Sequence, residues 1–117
     1  MDYSKLCKDI FNLDKKVRFV AICDRTGESR YGGLREGIKS LLSPEQTKES
    51  VLQAWNRWEL RNAIEPRTGK GLYAMAAYEK VKRITIPVDN EHLLLISTEP
   101  EADHVSIIDN ILKSIHG

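Results

Sequence analysis

Apolar residues recur every three to four positions in three segments of the chain, which predicts three amphipathic helices. The first begins after Ser4, which we expect to cap it, and continues to about Leu13. The last follows Pro100 and ends at Gly117. Its apolar stripe consists of Val105, Ile108, Ile111, Leu112 and Ile115.

The second helix has the clearest start signal. Ser43 can cap it, Pro44 suits its first position, and Gln46 completes a capping box. Pro66 is expected to stop it, and a loop follows over Arg67–Gly71. The apolar side of this helix carries Val51, Leu52, Trp55, Trp58 and Ala63.

Two strands lie between the first and second helices. Val17–Cys23 is apolar on both faces, which is typical of a central strand covered on each side. The turn chemistry of Asp24–Gly27 then predicts a hairpin, because Gly27 can adopt a positive φ. The returning strand, Glu28–Gly33, ends in two glycines and is expected to be short or at an edge.

Three further strands are predicted after the second helix. They are Leu72–Glu79, Arg83–Val88 and His92–Ser97, separated by turns near Glu79–Lys80 and at Asp89–Asn90. The order is therefore helix, two strands, helix, three strands, helix. Antiparallel hairpins with helices over the sheet indicate one α+β domain of two or three layers over residues 1–117.

Composition excludes several classes of protein. The chain is 41% hydrophobic and 30% charged, which fits a folded domain. No apolar run approaches the ~20 residues of a membrane span, and the N-terminus lacks the apolar core of a signal peptide. The net charge of +1 conceals a basic segment at 57–83 and an acidic one at 84–117. We expect a cytoplasmic protein.

Catalytic and metal-binding patterns are absent from the sequence. Cys7 and Cys23 are interpreted as buried structural thiols. His92, His104 and His116 lack the close spacing of metal ligands. No phosphate-binding loop precedes a helix, so neither an enzyme nor a cofactor is predicted.

The basic residues at 57–83 are interpreted as a solvated face, because a pI near 7.8 is low for a nucleic-acid-binding protein. Trp55 and Trp58 widen the apolar side of the second helix, and the strand beginning at Leu72 is apolar on both faces. A symmetric dimer would cover both, whereas intramolecular shielding of the strand is the alternative. The predicted interface consists of Val51, Trp55, Trp58, Leu72, Tyr73, Ala74, Met75, Ala76 and Tyr78.

The segment Val17–Glu28, an apolar strand followed by an Asp-x-x-Gly turn, resembles the first hairpin of the roadblock/dynein-light-chain family. Arg83–Ile96 is similar to a later hairpin of that family, and the closing helix also fits. The resemblance covers nearly the whole chain and places it in the roadblock–longin, profilin-like group. The chain is also similar to short proteins of ammonia-oxidising archaea.

The resemblance implies a five-stranded antiparallel sheet with the second helix on one face and the terminal helices on the other. It also implies dimerisation through Ser43–Ile64 and Leu72–Tyr78, and a non-enzymatic role as a platform or regulator of small GTPases or motor complexes. Trp55, Trp58 and the loop Arg67–Gly71 depart from the family, so partner identity does not transfer. The alternative function is a PAS-like or profilin-like sensor holding a small molecule between sheet and helix.

Overall fold

Two strands that are buried on both faces form the middle of the sheet. They are β1 (Val17–Cys23) and β5 (Leu93–Thr98) in a computed structural model that describes residues 1–116. The other strands are β2 (Ser29–Leu34), β3 (Ala74–Ala77) and β4 (Lys82–Pro87). All pairs are antiparallel in the order β2-β1-β5-β4-β3, which leaves β2 and β3 at the edges.

The helices cover both faces of this sheet. They are α1 (Tyr3–Phe11), α2 (Pro44–Asn62), a single turn α3 (Glu65–Thr68) and α4 (His104–His116). α1 and α4 pack on one face, and α2 packs on the other. The predicted α+β class, the five-stranded antiparallel sheet and the element order are confirmed, with α3 as an additional turn.

Alternation along β5 builds the two cores. Leu94 and Ile96 face α1 and α4, whereas Leu93 and Leu95 face α2, because successive side chains of a strand point to opposite faces. This explains why an unbroken apolar run is needed there: each half of it supplies a separate core.

The two thiols lie on opposite sides of the sheet. Cys7 belongs to the core under α1 and α4, and Cys23 to the core under α2. Both are free and buried, as predicted. Burial raises the pKa of the Cys7 thiol and, together with the nearby carboxylate of Asp24, raises the pKa of Cys23 to about 12. Both thiols therefore stay protonated and unreactive at neutral pH.

The start of α1 differs from the prediction. Asp2, and not Ser4, is the N-cap, because its carboxylate accepts a hydrogen bond from the Lys5 backbone N–H at 3.0 Å. The helix also ends earlier, at Phe11 and not near Leu13. β2 is shifted by one residue from the predicted Glu28–Gly33, but it does lie at an edge.

The stripe predicted for α4 is wrong at one position. Val105 lies in the first turn and is 60% exposed, so it does not reach the core. Ile107, absent from the predicted stripe, is buried beside Ile108 and Ile111. The predicted end of this helix at Gly117 falls outside the described residues.

The region after α2 was also predicted imperfectly. α2 ends at Asn62, before the predicted stop at Pro66. Pro66 instead occupies the first turn of α3, where a missing N–H costs nothing, so the loop predicted over Arg67–Gly71 is partly helical. β3 comprises four residues, and Leu72, Tyr73 and Tyr78 flank it as irregular chain.

Candidate interaction surface and cavity

Three of the predicted interface residues lie inside the molecule. Val51, Trp55 and Trp58 are buried between α2 and its own sheet. The indole N–H of Trp58 donates to Thr85 Oγ1 at 3.0 Å, and that of Trp55 donates to the Asp24 carbonyl at 2.9 Å. The expectation that these side chains contact a partner is therefore corrected, because the sheet already satisfies both their apolar and their polar atoms.

The remaining predicted interface residues lie at or beside the β3 edge and are accessible. Ala76 and Met75 are exposed and Ala74 is half-buried, while Leu72 and Tyr73 are each 49% exposed. Tyr78 continues this apolar surface beyond the strand. Edge strands in monomeric proteins are usually protected by charges, proline or bulges, and none of these occurs within β3.

The opposite edge of the sheet is protected. β2 carries the charged residue Arg30, and its register with β1 shifts between Ile22 and Cys23. Gly32 adopts φ +87°, where any side chain would be strained. Only the β3 edge therefore presents a regular, uncharged strand among residues 1–116.

The exposed side of α2 carries a row of residues spaced four apart, which we term the α2 charge row. Its members, from the N-terminal end, are Glu45, Glu49, Gln53, Arg57 and Arg61. Two acids are followed by a neutral residue and two bases, so the charge sequence is antisymmetric about Gln53. Within residues 1–116, no ion pair engages Glu49 or Arg57.

The α2 charge row adjoins the β3 edge. Arg57 and Arg61 line a shallow groove together with Ala74, Ala76 and Tyr78. The guanidinium of Arg61 lies 4.8 Å from the ring centre of the buried Trp58, which anchors one end of the row to the core. Helix and strand edge therefore form one continuous surface. The residues of the row were not among the predicted interface residues, although their four-residue charge period is visible in the sequence.

A cavity of about 710 Å³, partly open to solvent, lies between the flank of the N-terminal half of α2 and the sheet. The α2 residues that line it are Gln46, Thr47, Ser50 and Gln53, on the flank of the helix and not on the side that carries Val51, Trp55 and Trp58. The irregular segment containing Leu41 and Leu42 closes one side.

The cavity floor is one cross-strand row of the sheet. Phe19 of β1 is paired with Ser97 of β5, which is paired with Arg83 of β4. The Arg83 guanidinium is half-buried and donates to Ser50 Oγ at 3.0 Å. Burial lowers the pKa of Arg83, because desolvation disfavours the charged form, and the nearby charge of Arg57 acts in the same direction. Arg18, also at the cavity, is paired with Glu99 at 2.7 Å.

Metal-ligand clusters and membrane-spanning helices are absent from the described part of the chain. No three His, Cys, Asp or Glu side chains of residues 1–116 are grouped to hold an ion. His92 instead contacts Asp89, and His104 contacts Lys82 at 2.9 Å. No helix in the same range is long and apolar enough to span a bilayer.

A family model covers residues 1–116 and is described as DUF6659, a family of unknown function. The chain belongs to this family. A comparison with curated proteins found no match.

Solved structures share its fold. The Roadblock/LC7 domain from Streptomyces avermitilis is similar with a TM-score of 0.67 at 12% identity, over 98% of this chain and 95% of that one. MglC from Myxococcus xanthus is similar with a TM-score of 0.61 at 16% identity, over 98% of this chain and 97% of that one. MglB with a tetrameric arrangement is similar with a TM-score of 0.73 at 9% identity, over 95% of this chain and 82% of that one. The DUF6659 chain therefore has the roadblock fold, as the sequence resemblance implied.

Proposed function

We propose that the protein is a cytoplasmic, non-enzymatic homodimer that acts as a regulatory module for a protein partner. The observation that carries the proposal is the α2 charge row beside the unprotected β3 edge. The resemblance to the roadblock family supports a small GTPase as the class of partner. Self-association is also on record for one protein of this fold, MglB in its tetrameric arrangement.

The α2 charge row is complementary to itself. Rows spaced four apart on two helices interdigitate when the helices cross, which is the commonest helix packing in globular proteins. With a two-fold axis at Gln53, an antiparallel copy of α2 places Glu49 opposite Arg57 of the second copy. Glu45 is likewise opposite Arg61 of the second copy. The same pairs form twice, as a two-fold interface requires.

The β3 edge supplies the apolar part of the interface. Pairing of two β3 edges about the same axis would join the sheets of both copies and satisfy the outer backbone groups of Ala74–Ala77. Small side chains in this strand allow α2 of each copy to approach closely. Leu72, Tyr73 and Met75 lose their exposure to water in this arrangement, which adds an apolar driving force.

Charge reversal tests the pairing of Glu49 with Arg57. The variants Glu49→Arg and Arg57→Glu each place like charges opposite each other twice, and we expect both to weaken dimerisation at least tenfold. An equimolar mixture of the two restores opposite charges at both positions. We therefore expect the mixture to form a heterodimer, and the double variant to form a homodimer of wild-type affinity. Sedimentation velocity across micromolar concentrations measures each species.

Asp109→Arg is the matched control, since it reverses an exposed acid in the middle of α4, on the opposite face of the sheet. It should dimerise as the wild type does. A wild-type protein that stays monomeric overturns the proposed dimer. A mixture that dissociates as readily as its two components overturns the antiparallel register while leaving a dimer of other geometry.

The protein partner is tested with the same variants. Wild-type protein immobilised in native cell extract is expected to retain a small GTPase that Arg57→Glu fails to retain. Identification of bound proteins by mass spectrometry, with Asp109→Arg as the control, makes the comparison. Equal recovery on all three proteins would contradict a dimer-dependent regulatory role.

Ligand sensing is a second candidate function, and the cavity under α2 is the observation that favours it. In this alternative a small molecule lies between sheet and helix, and a fully packed core without a cavity would argue against ligand sensing. The cavity lies at that position.

A further inference from the structure

We infer that the cavity under the first half of α2 binds an organic anion with an apolar body, whose carboxylate, phosphate or sulfonate pairs with Arg83. This inference rests on the ligand-sensing role proposed above and names the chemistry of its ligand. It does not depend on the dimer.

The cavity has the size and lining of a ligand site. Its volume of about 710 Å³ falls within the range of roughly 300–1,000 Å³ in which small-molecule sites occur. It is partly open to solvent, and residues of α2, of the sheet and of the turn between β3 and β4 line it. Its lining is mixed, because apolar side chains alternate with polar and charged ones; the apolar set is Phe19, Leu34, Leu41, Leu42, Val81 and Leu95.

Arg83 determines the sign of the ligand charge. Its guanidinium donates to the hydroxyl of Ser50 at 3.0 Å. Within residues 1–116 no carboxylate lies in ion-pair distance of it, and the charge of Arg57 adds to its own. A half-buried charge without a counterion is costly, and an anion that enters the cavity removes this cost.

The remaining charges at the cavity reinforce this sign. Arg18 is neutralised by Glu99, whereas Lys39 and Lys80 stand at the cavity without an ion-pair partner among the described residues. Glu79 is the one acidic residue that lines it. The field inside is therefore positive, with Arg83 as the positive group on its floor.

The opposite part of the cavity fits an apolar body. Phe19 and Leu95 form the floor on the β1 and β5 side, and Leu34 and Leu42 continue this surface towards the closing segment. Gln46 and Gln53 provide amide groups on the α2 side that can bind polar atoms of the ligand. An inorganic anion would leave this apolar surface unoccupied, so the preferred ligand is amphipathic.

Two dyes that differ in charge test the inference. 8-Anilinonaphthalene-1-sulfonate and N-phenyl-1-naphthylamine share one ring system, and only the first carries a sulfonate. Fluorescence titration of wild-type protein is expected to show one saturable site per chain for both dyes, with the sulfonate bound at least tenfold more tightly. In Arg83→Gln most of this preference should be lost, with the remainder due to Lys39 and Lys80, whereas Arg83→Lys should keep a larger part of it.

Two further variants distinguish the possible failures. Arg67→Gln removes a positive charge from α3, away from the cavity, and should leave both affinities unchanged. Ser97→Phe fills the floor between Phe19 and Arg83 and should abolish binding of both dyes. Circular dichroism confirms that each variant is folded. Saturable binding without preference for the sulfonate overturns the anion inference while the ligand-sensing role stands. Absence of saturable binding of either dye overturns both.

Discussion

Replacement of Trp58 by phenylalanine separates a core role from an interface role. The indole is 1% exposed, lies against Gly71 and donates a hydrogen bond to Thr85 at 3.0 Å. The smaller ring loses about 40 Å² of buried apolar surface, or ~1 kcal/mol at 25 cal/mol/Å². The lost hydrogen bond costs ~1 kcal/mol more. We therefore expect Trp58→Phe to lower the free energy of unfolding by about 2 kcal/mol.

Urea denaturation monitored by circular dichroism measures this loss. With a slope of ~1–3 kcal/mol per molar urea for a small domain, the midpoint should fall by about 1 M. The decrease should be the same at two protein concentrations tenfold apart, because the indole contacts only its own chain. Dimer affinity measured by sedimentation should not change.

Leu60→Ala is the matched control, since Leu60 is on the same helix and 76% exposed. It should change the free energy of unfolding by less than about 0.5 kcal/mol. If Trp58→Phe left the unfolding free energy unchanged, or weakened dimerisation while leaving stability intact, the assignment of Trp58 to the core would be refuted.

Three further substitutions test local features of the fold by thermal or urea unfolding. Ser43→Ala removes the capping box at the start of α2 and should cost ~1 kcal/mol of stability. Gly32→Ala should cost more than ~2 kcal/mol, because φ is +87° and the added Cβ would lie 2.0 Å from the Val20 carbonyl oxygen. Although partial burial raises the pKa of Asp89, hydrogen bonds, led by that from Tyr3, outweigh it and hold the pKa below its usual 3.8. Because this folded-state pKa is the lower one, Asp89 stabilises the fold above about pH 4, and the contribution disappears as the pH falls through the folded-state pKa. The stability difference between wild type and Asp89→Asn should therefore shrink on acidification.

Features set by neighbouring residues were predictable from the sequence. Ser43 and Gln46 form the expected capping box because both partners lie within one helical turn. The turn at Asp24 follows for the same reason: its carboxylate accepts the Thr26 backbone N–H at 2.9 Å. The cap of α1 was predicted wrongly at Ser4, because Asp2, two positions earlier, is also a good capping residue.

Features set by distant pairing were not predictable. The tryptophans of α2 are apolar, but which of two surfaces they cover depends on Thr85, 27 positions away from Trp58. Arg83 belongs to a basic stretch that was interpreted as a solvated face. It reaches the cavity floor only because β4 and β5 pair in the register that sets it beside Ser97. A shift of one residue would have turned it to the other face.

The helix α2 belongs to two surfaces at once, and this has a thermodynamic consequence. Gln53 is the centre of the α2 charge row and also lines the cavity. Of the consecutive residues Glu49 and Ser50, the first belongs to the charge row and the second lines the cavity. A ligand that changes the tilt of this half-helix changes the geometry of Glu49 in the dimer. Linkage then requires reciprocity: whatever factor ligand binding applies to dimer affinity, dimerisation applies to ligand affinity.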